Sequence, residues 1–134
     1  MKRKRNTPRA KLIAKMDVLW SKVVKRKAGG KCALCPAPAV NSHHNIRRQN
    51  LRFRHDVDNG IALCFRHHRA GEESAHESPL AFAELFRLKC PEQAEWYDQA
   101  KLANNTLPPY KPSMDDLEEK KCELETMLAD LGDF

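Results

Sequence analysis

Two short ligand pairs govern what this chain can fold into. Cys32 and Cys35 form a Cys-x2-Cys turn, and Cys64 and His67 repeat the spacing as Cys-x2-His after an insert of 28 residues. Each pair suits a tight turn that clamps half of a tetrahedral Zn²⁺ site. An ion held this way contributes about 10–16 kcal/mol to the folding of a small domain. That matters because the segment between and around the pairs is short of apolar residues. The plainer reading is a set of reduced core thiols beside a solvated His67. Two matched pairs favour the metal, and the remaining cysteines, Cys90 and Cys122, stand alone. An odd number of cysteines with no secretory leader argues against a disulfide framework.

Charge is distributed as unevenly as the ligands. The net charge is +6 over 134 residues. Residues 1–31 carry 12 Lys/Arg against the single acid Asp17, residues 32–69 six Arg against Asp56 and Asp58, and residues 70–134 six Lys/Arg against 15 acids. The local charges are therefore +11, +4 and −9. A basic half of this kind suits a polyanion, and nucleic acid is the commonest one in a cytoplasm. Met1–Arg5 is charged but is not followed by the apolar stretch of a signal peptide, and no apolar run reaches the ~20 residues of a membrane span. The expectation is a cytoplasmic protein that does not enter a membrane.

The chain divides into a basic tail and amphipathic helix (1–30), a ligand-rich core (31–90) and an acidic helical extension (91–134). Thr7 as N-cap and Pro8 at the first helical position open a helix over 7–27. Leu12, Ile13, Met16, Leu19, Trp20, Val23 and Val24 share one face of it, and Gly29-Gly30 ends it. Short strands are predicted at Ala39–His44 and Gly60–Cys64, joined by a loop that holds Arg47, Arg48, Arg52, Arg54 and an Asn59-Gly60 turn. A helix is predicted from Phe65 through His67 and His68, interrupted at Gly71. Further helices start at Ser78-Pro79 and Pro91, residues 104–112 read as a linker, and Ser113 caps a last helix. Its Leu117, Leu124, Leu128 and Leu131 form a docking face, since the segment is under three heptads.

The histidines outnumber what one zinc needs. His43 and His44 are adjacent at a strand end, so they point to opposite faces, and one can ligate while the other stays free. His68 and His76 follow the second ligand pair. A metal beside a free imidazole is a pairing suited to phosphate chemistry, with the ion facing developing charge and the imidazole taking a proton from water.

The order Cys-x2-Cys, His43-His44-Asn45-Ile46, Asp58-Asn59-Gly60-Ile61-Ala62-Leu63-Cys64, His67-His68 resembles the HNH endonucleases, the ββα-metal or His-Me finger group, and within it the zinc-clamped phage-type HNH nucleases. The resemblance covers about residues 32–86. Asn59 lies five residues before Cys64 and nine before His68, as in that family. The resemblance implies an α+β fold: a small ββα-metal core with a structural zinc, flanked by an N-terminal helix and C-terminal helices. It assigns Cys32, Cys35, Cys64 and His67 to one structural Zn²⁺, with His67 replacing the more usual Cys. His44 matches the general base, Asn59 the residue that braces the loop, and His43 and His68 the ligands of a catalytic divalent ion. His43 stands where Asp is usual, which shifts metal preference from Mg²⁺ towards Mn²⁺, Ni²⁺, Co²⁺ or Zn²⁺. Relatives place a third ligand four residues after the last His, which here is Glu72. His76, eight residues on, is about 12 Å away along an unbroken helix, yet the run from His76 to Phe82 resembles the segment after the motif. His76 is favoured over Glu72.

The activity implied is metal-dependent hydrolysis of DNA phosphodiester bonds with low sequence specificity. Arg47, Arg48, Arg52 and Arg54 are placed to grip phosphates, or else form a solvated loop, and His55 reads as a bystander. Two alternatives stand beside this: a structure-selective recombination nuclease acting on branched DNA, and a non-catalytic zinc-stabilised DNA-binding module. The C-terminal helices are candidates for a protein partner or for self-association.

Overall fold

The structure is a computed structural model and describes residues 7–132. The basic run Met1–Arg5 lies outside the described residues. Helix α1 spans Pro8–Lys27; the Thr7 side chain accepts from the Ala10 N–H at 3.0 Å, Pro8 opens the first turn, and Gly29 and Gly30 leave the helix with φ of 67° and 75°. Both values lie in the left-handed region that glycine enters without a Cβ penalty. Leu12, Met16, Trp20, Val23 and Val24 are buried along one face, as the spacing predicts.

Strands β1 (Asn41–His44) and β2 (Gly60–Leu63) pair antiparallel, with Asn41 opposite Leu63 and His44 opposite Gly60. The first strand is two residues shorter than its sequence suggests. The Ala39 N–H bonds the Gly30 carbonyl, off the ladder, and the Val40 N–H bonds Leu63 singly, so the regular pairing begins at Asn41. The connection holds a four-residue helix, α2 (Leu51–Arg54), and a 3₁₀ turn at Val57–Asn59. After β2, the expected helix is a single π turn, Arg66–Ala70, and Gly71 donates back to the Arg66 carbonyl at 2.8 Å. A Cβ on Gly71 would lie 2.6 Å from that oxygen, so the reversal needs glycine.

Helices α3 (Pro79–Lys89), α4 (Pro91–Thr106) and α5 (Met114–Leu131) complete the chain. Helix α4 runs through Asn104–Thr106, so the linker begins later than the Asn-Asn pair suggests. A capping box opens α5: Asp116 N–H donates to Ser113 Oγ and Ser113 N–H to the Asp116 carboxylate.

The result is a mixed helical fold around one two-stranded sheet, compatible with an α+β class. Residues of β2 alternate between two cores. Ala62 joins α1 and the Leu117 and Leu124 side chains of α5, while Ile61 and Leu63 join Cys32, Leu34, Phe82, Phe86 and Ala94. Leu117 and Leu124 of α5 are buried in the core with α1 and Leu128 packs partly against it, while Leu131 is exposed. Among the described residues, no helix is long and apolar enough to cross a membrane.

Candidate metal centres and catalytic site

The first ligand pair sits on a turn pinned by three hydrogen bonds: Cys32 N–H to the Ala37 carbonyl (2.8 Å), Ala33 N–H to the Ala62 carbonyl (2.9 Å) and Leu34 N–H to Cys32 Sγ (3.4 Å). The second pair follows directly from β2, with Cys64 at its end and His67 in the π turn. Cys32 Sγ lies 3.6 Å and Cys64 Sγ 3.3 Å from His67 Nδ1, and Cys35 Sγ lies 3.7 Å from Cys64 Sγ. Zn–S bonds of about 2.3 Å and Zn–N bonds of about 2.0–2.1 Å at tetrahedral angles give edges of about 3.8 Å (S to S) and 3.6 Å (S to N). The observed edges match within a few tenths of an ångström, and the sulfurs are far too distant for a disulfide. All four ligand atoms lie within 4.8 Å of one another. Burial disfavours the Cys64 thiolate, but hydrogen bonds from the His67 N–H, the Cys35 and Cys32 thiols and the Arg66 N–H together outweigh it and lower its pKa. This buried Cys3His cluster could hold a structural metal such as zinc.

A second cluster forms on the other side of the π turn. His43 is the β1 histidine that faces it, and His68 comes from the π turn. His76 arrives because the chain reverses at Gly71 and returns, its N–H bonding the His68 carbonyl at 3.1 Å. The ligand nitrogens of His43, His68 and His76 lie within 4.8 Å of one another, and Nε2 of His68 and His76 are 3.1 Å apart. That separation fits two imidazoles on one ion, whose N-to-N edge is about 3.3 Å for the bond lengths above. Burial first, and then the neighbouring histidines, push His43 down to about 4. Burial, His76 and Arg69 push His68 to the same value. Both rings are neutral at pH 7, the form a metal takes. One nitrogen of His68, Nδ1, is buried without a partner. Glu72 is exposed and stands outside the cluster, so of the two third-ligand candidates the structure brings in His76.

His44, one residue from His43, faces away from the cluster and into a different setting. Its ring stacks on Trp20 of α1 at 3.8 Å, nearly parallel at 7°. Nε2 donates to the Arg54 carbonyl at 2.9 Å. A carbonyl only accepts, so the hydrogen resides on Nε2 and the neutral ring keeps its lone pair on Nδ1. Burial lowers the His44 pKa, which keeps that lone pair available at neutral pH. Gly60, opposite His44, makes room for the stack: a Cβ there would lie 2.4 Å from Val24 Cγ2 and 2.7 Å from Trp20 Cζ2.

The Arg54 carbonyl is itself held in place. Asn59 is fully buried; its Oδ1 accepts from the Ile46 N–H at 2.6 Å, and its Nδ2 donates to the carbonyls of Ile46 (2.9 Å) and Phe53 (3.2 Å). One amide thus staples both ends of the loop. Asp17 of α1 then accepts from Arg54 Nε (2.9 Å) and Nη2 (2.7 Å) and from His55 Nε2 (2.8 Å). Burial alone would raise the Asp17 carboxyl, but these donors outweigh it and hold it well below the usual carboxylate range.

The arginine run is less uniform than its sequence suggests. Arg47 is exposed, and Arg48 is 61% exposed at 3.8 Å from Asp17. Arg52 donates to the Pro108 carbonyl at 2.7 Å and lies 5.2 Å from the centre of the Tyr110 ring. Arg54 turns inward to Asp17 and is not a free phosphate grip. His55 is no bystander: it is 3% exposed and part of the same network. Asp17, Trp20 and His55 are the residues that sequence reasoning misses. A single acid on an otherwise basic helix was the one available signal. Compared with protein families, with curated proteins and with solved structures, the chain matches none.

Proposed function

We propose that this protein is an HNH-type endonuclease that hydrolyses DNA phosphodiester bonds with a divalent ion. One observation supports the reading: the adjacent histidines of β1 point into two different settings. His43 faces two further imidazoles at ligand spacing, while His44 has its hydrogen fixed on Nε2 and its Nδ1 lone pair free.

In this reading His43, His68 and His76 hold the catalytic ion, and Cys32, Cys35, Cys64 and His67 a structural zinc. When bound, the catalytic ion supplies Lewis-acid stabilisation of charge on the phosphate and the departing oxygen. His44 Nδ1 takes a proton from the attacking water, and the hydrogen bond from Nε2 to Arg54 becomes stronger as the ring turns cationic. Trp20 shields one face of the imidazole and fixes its plane. Asn59 holds the loop that carries the Arg54 carbonyl. Arg47 and Arg48, the exposed members of the run, meet the flanking phosphates. The basic first half of the chain adds sequence-independent affinity that falls steeply with salt.

The test is cleavage of supercoiled plasmid with Mg²⁺, Mn²⁺, Ni²⁺, Co²⁺ and Zn²⁺ in turn, with His44→Ala as control. Nicked or linear product from the wild type, and its loss by a factor of about 100 or more in the variant, is the expected outcome. A wild type that binds plasmid but never cuts it would make the chain a zinc-stabilised DNA-binding module instead. Equal cutting by His44→Ala would remove His44 from the mechanism.

A further inference from the structure

A groove of about 560 Å³ runs beside the loop that follows β1. One wall is the segment from Ile46 to Arg52, and the other is Asn104 with the strap from Leu107 to Tyr110 that leads out of α4. Every residue lining it is exposed or half-buried, so its side chains are open to a ligand. The walls are tied together: Asn50 Nδ2 donates to Asn104 Oδ1, Arg52 Nη2 to the Pro108 carbonyl and Arg9 Nη1 of α1 to the Pro112 carbonyl, each at 2.7 Å. Pro108 and Pro109 stiffen the strap. A groove held in this way needs little ordering when it is filled.

Charge, flatness and place define the ligand. No acid lines the groove, whereas Arg47 and Arg52 do. Arg47 is exposed and pairs with no acid among the described residues. Arg52 spends one N–H on the Pro108 carbonyl and keeps its charge. Beyond Tyr110 the sign reverses, with Asp56, Asp116, Glu119 and Glu123 lining the next recess against Arg52, His55 and Lys120. An anion is therefore drawn to the first side and repelled from the second. Tyr110 supplies a flat ring that is 42% exposed, with the Arg52 guanidinium 5.2 Å from its centre. The exposed amides of Gln49 and Asn104 both donate and accept, so they suit base edges of more than one kind. Ile46 comes two residues after His44, at most about 7 Å of chain, and Asn59 holds both its N–H and its carbonyl.

An anionic chain with flat faces to offer is a single-stranded nucleic acid, because in a duplex those faces are covered by the neighbouring base pairs. We propose that this groove receives a single strand of DNA, with unpaired bases stacking at Tyr110 and the backbone phosphates facing Arg47. The position of that strand beside the cut rests on the nuclease reading above and gives it a substrate class: DNA that carries a single-stranded arm next to the bond hydrolysed.

The experiment uses the full chain as purified, with no divalent ion added, and follows binding by fluorescence anisotropy. The probes are a blunt DNA duplex and the same duplex with a single-stranded oligothymidine tail, and the readout is the ratio of their Kd values. The tailed duplex is expected to bind about tenfold tighter or more. Tyr110→Ala should bring the ratio to near unity, and Tyr110→Phe, which keeps the ring, should preserve it. Gln49→Glu should also collapse the ratio by placing an acid in a groove that has none. That position is exposed, and the variant leaves Tyr110 in place should Tyr110→Ala fold poorly. A wild-type ratio near unity overturns the proposal and leaves the nuclease reading standing. So does a ratio that persists in both Tyr110→Ala and Gln49→Glu. Displacement of the tailed duplex by oligo-glutamate as readily as by oligothymidine also overturns it, and would make the groove a site for an acidic protein segment. A tail preference that both variants abolish, in a chain that cuts no DNA with any ion, supports the groove as a single-strand site and removes the nuclease reading alone.

Discussion

Asp17→Ala tests whether a carboxylate on α1 holds the loop behind the strands. The substitution removes three charge-assisted hydrogen bonds, at 2.7, 2.8 and 2.9 Å. It leaves the His55 side chain unpaired at 4% exposure and that of Arg54 at 15%. Breaking a fully buried pair costs about 3–5 kcal/mol. The Asp17 side chain keeps 28% exposure, so solvent screens part of that, and we expect about 2–4 kcal/mol. For a chain of this length each kcal/mol moves the melting temperature by about 3–5 °C, which predicts a loss of about 6–20 °C by circular dichroism at pH 7. The pH dependence has a definite sign. The native Asp17 carboxyl titrates below its ordinary 3.8, so its contribution is complete above about pH 5 and fades as the pH falls and the unfolded chain takes up the proton. At pH 3 the gap between wild type and variant should therefore narrow, by about 1 kcal/mol at most. On the nuclease reading, cleavage slows with little change in KM, because the Arg54 carbonyl that orients His44 moves. A melting temperature within 2 °C of wild type, roughly the error of such a comparison, or a gap at pH 3 as wide as that at pH 7, would refute the reasoning.

On the reading proposed above, three further outcomes are expected. Cys64→Ser should abolish stoichiometric zinc by mass spectrometry and leave the chain largely unfolded at 25 °C, since the metal's ~10–16 kcal/mol exceeds the whole stability of most small domains. His76→Ala should weaken Mn²⁺ binding, followed by calorimetry, about tenfold or more, whereas Glu72→Ala should leave it unchanged. Gly60→Ala forces a Cβ onto Val24 and Trp20 and should cost about 1–3 kcal/mol in a denaturant titration, with the Trp20 fluorescence shifting as its stack on His44 is disturbed.

Local signals made much of the fold legible. Thr7-Pro8, Ser78-Pro79, Pro91 and Ser113 each mark a helix start that the structure contains, because capping is settled within a few residues. The spacing of Cys32, Cys35, Cys64 and His67 placed four ligands together for the same reason: two tight turns fix two pairs, and one strand joins them. What could not be read is what depends on distant chain. Nothing near Arg54 or His55 announces Asp17, which is 37 and 38 residues away. The inward turn of Arg54 was therefore invisible in a run that resembles a uniform phosphate grip. The approach of His76 was legible only as a choice against Glu72. Gly71 indicated a break, but the direction of the chain after it depends on bonds from residues 75 and 76 back to 67 and 68. The short β1 reflects the Ala39 N–H, which turns to the Gly30 carbonyl beyond α1, a partner the periodic pattern does not reveal.

Helix α1 gives the chain an unusual division of labour. Every metal-type side chain discussed above lies between residues 32 and 76, yet the ring that shelves His44 and the carboxylate that anchors its hydrogen-bond partner come from residues 20 and 17. An excised or transplanted 31–90 segment would carry all the ligands and still lack the scaffold that sets the tautomer of one imidazole. On the nuclease reading, metal occupancy and catalytic competence are thereby separable. A transplant that loads its ions to full stoichiometry and remains inert would be the expected product of cutting at the boundary of the motif.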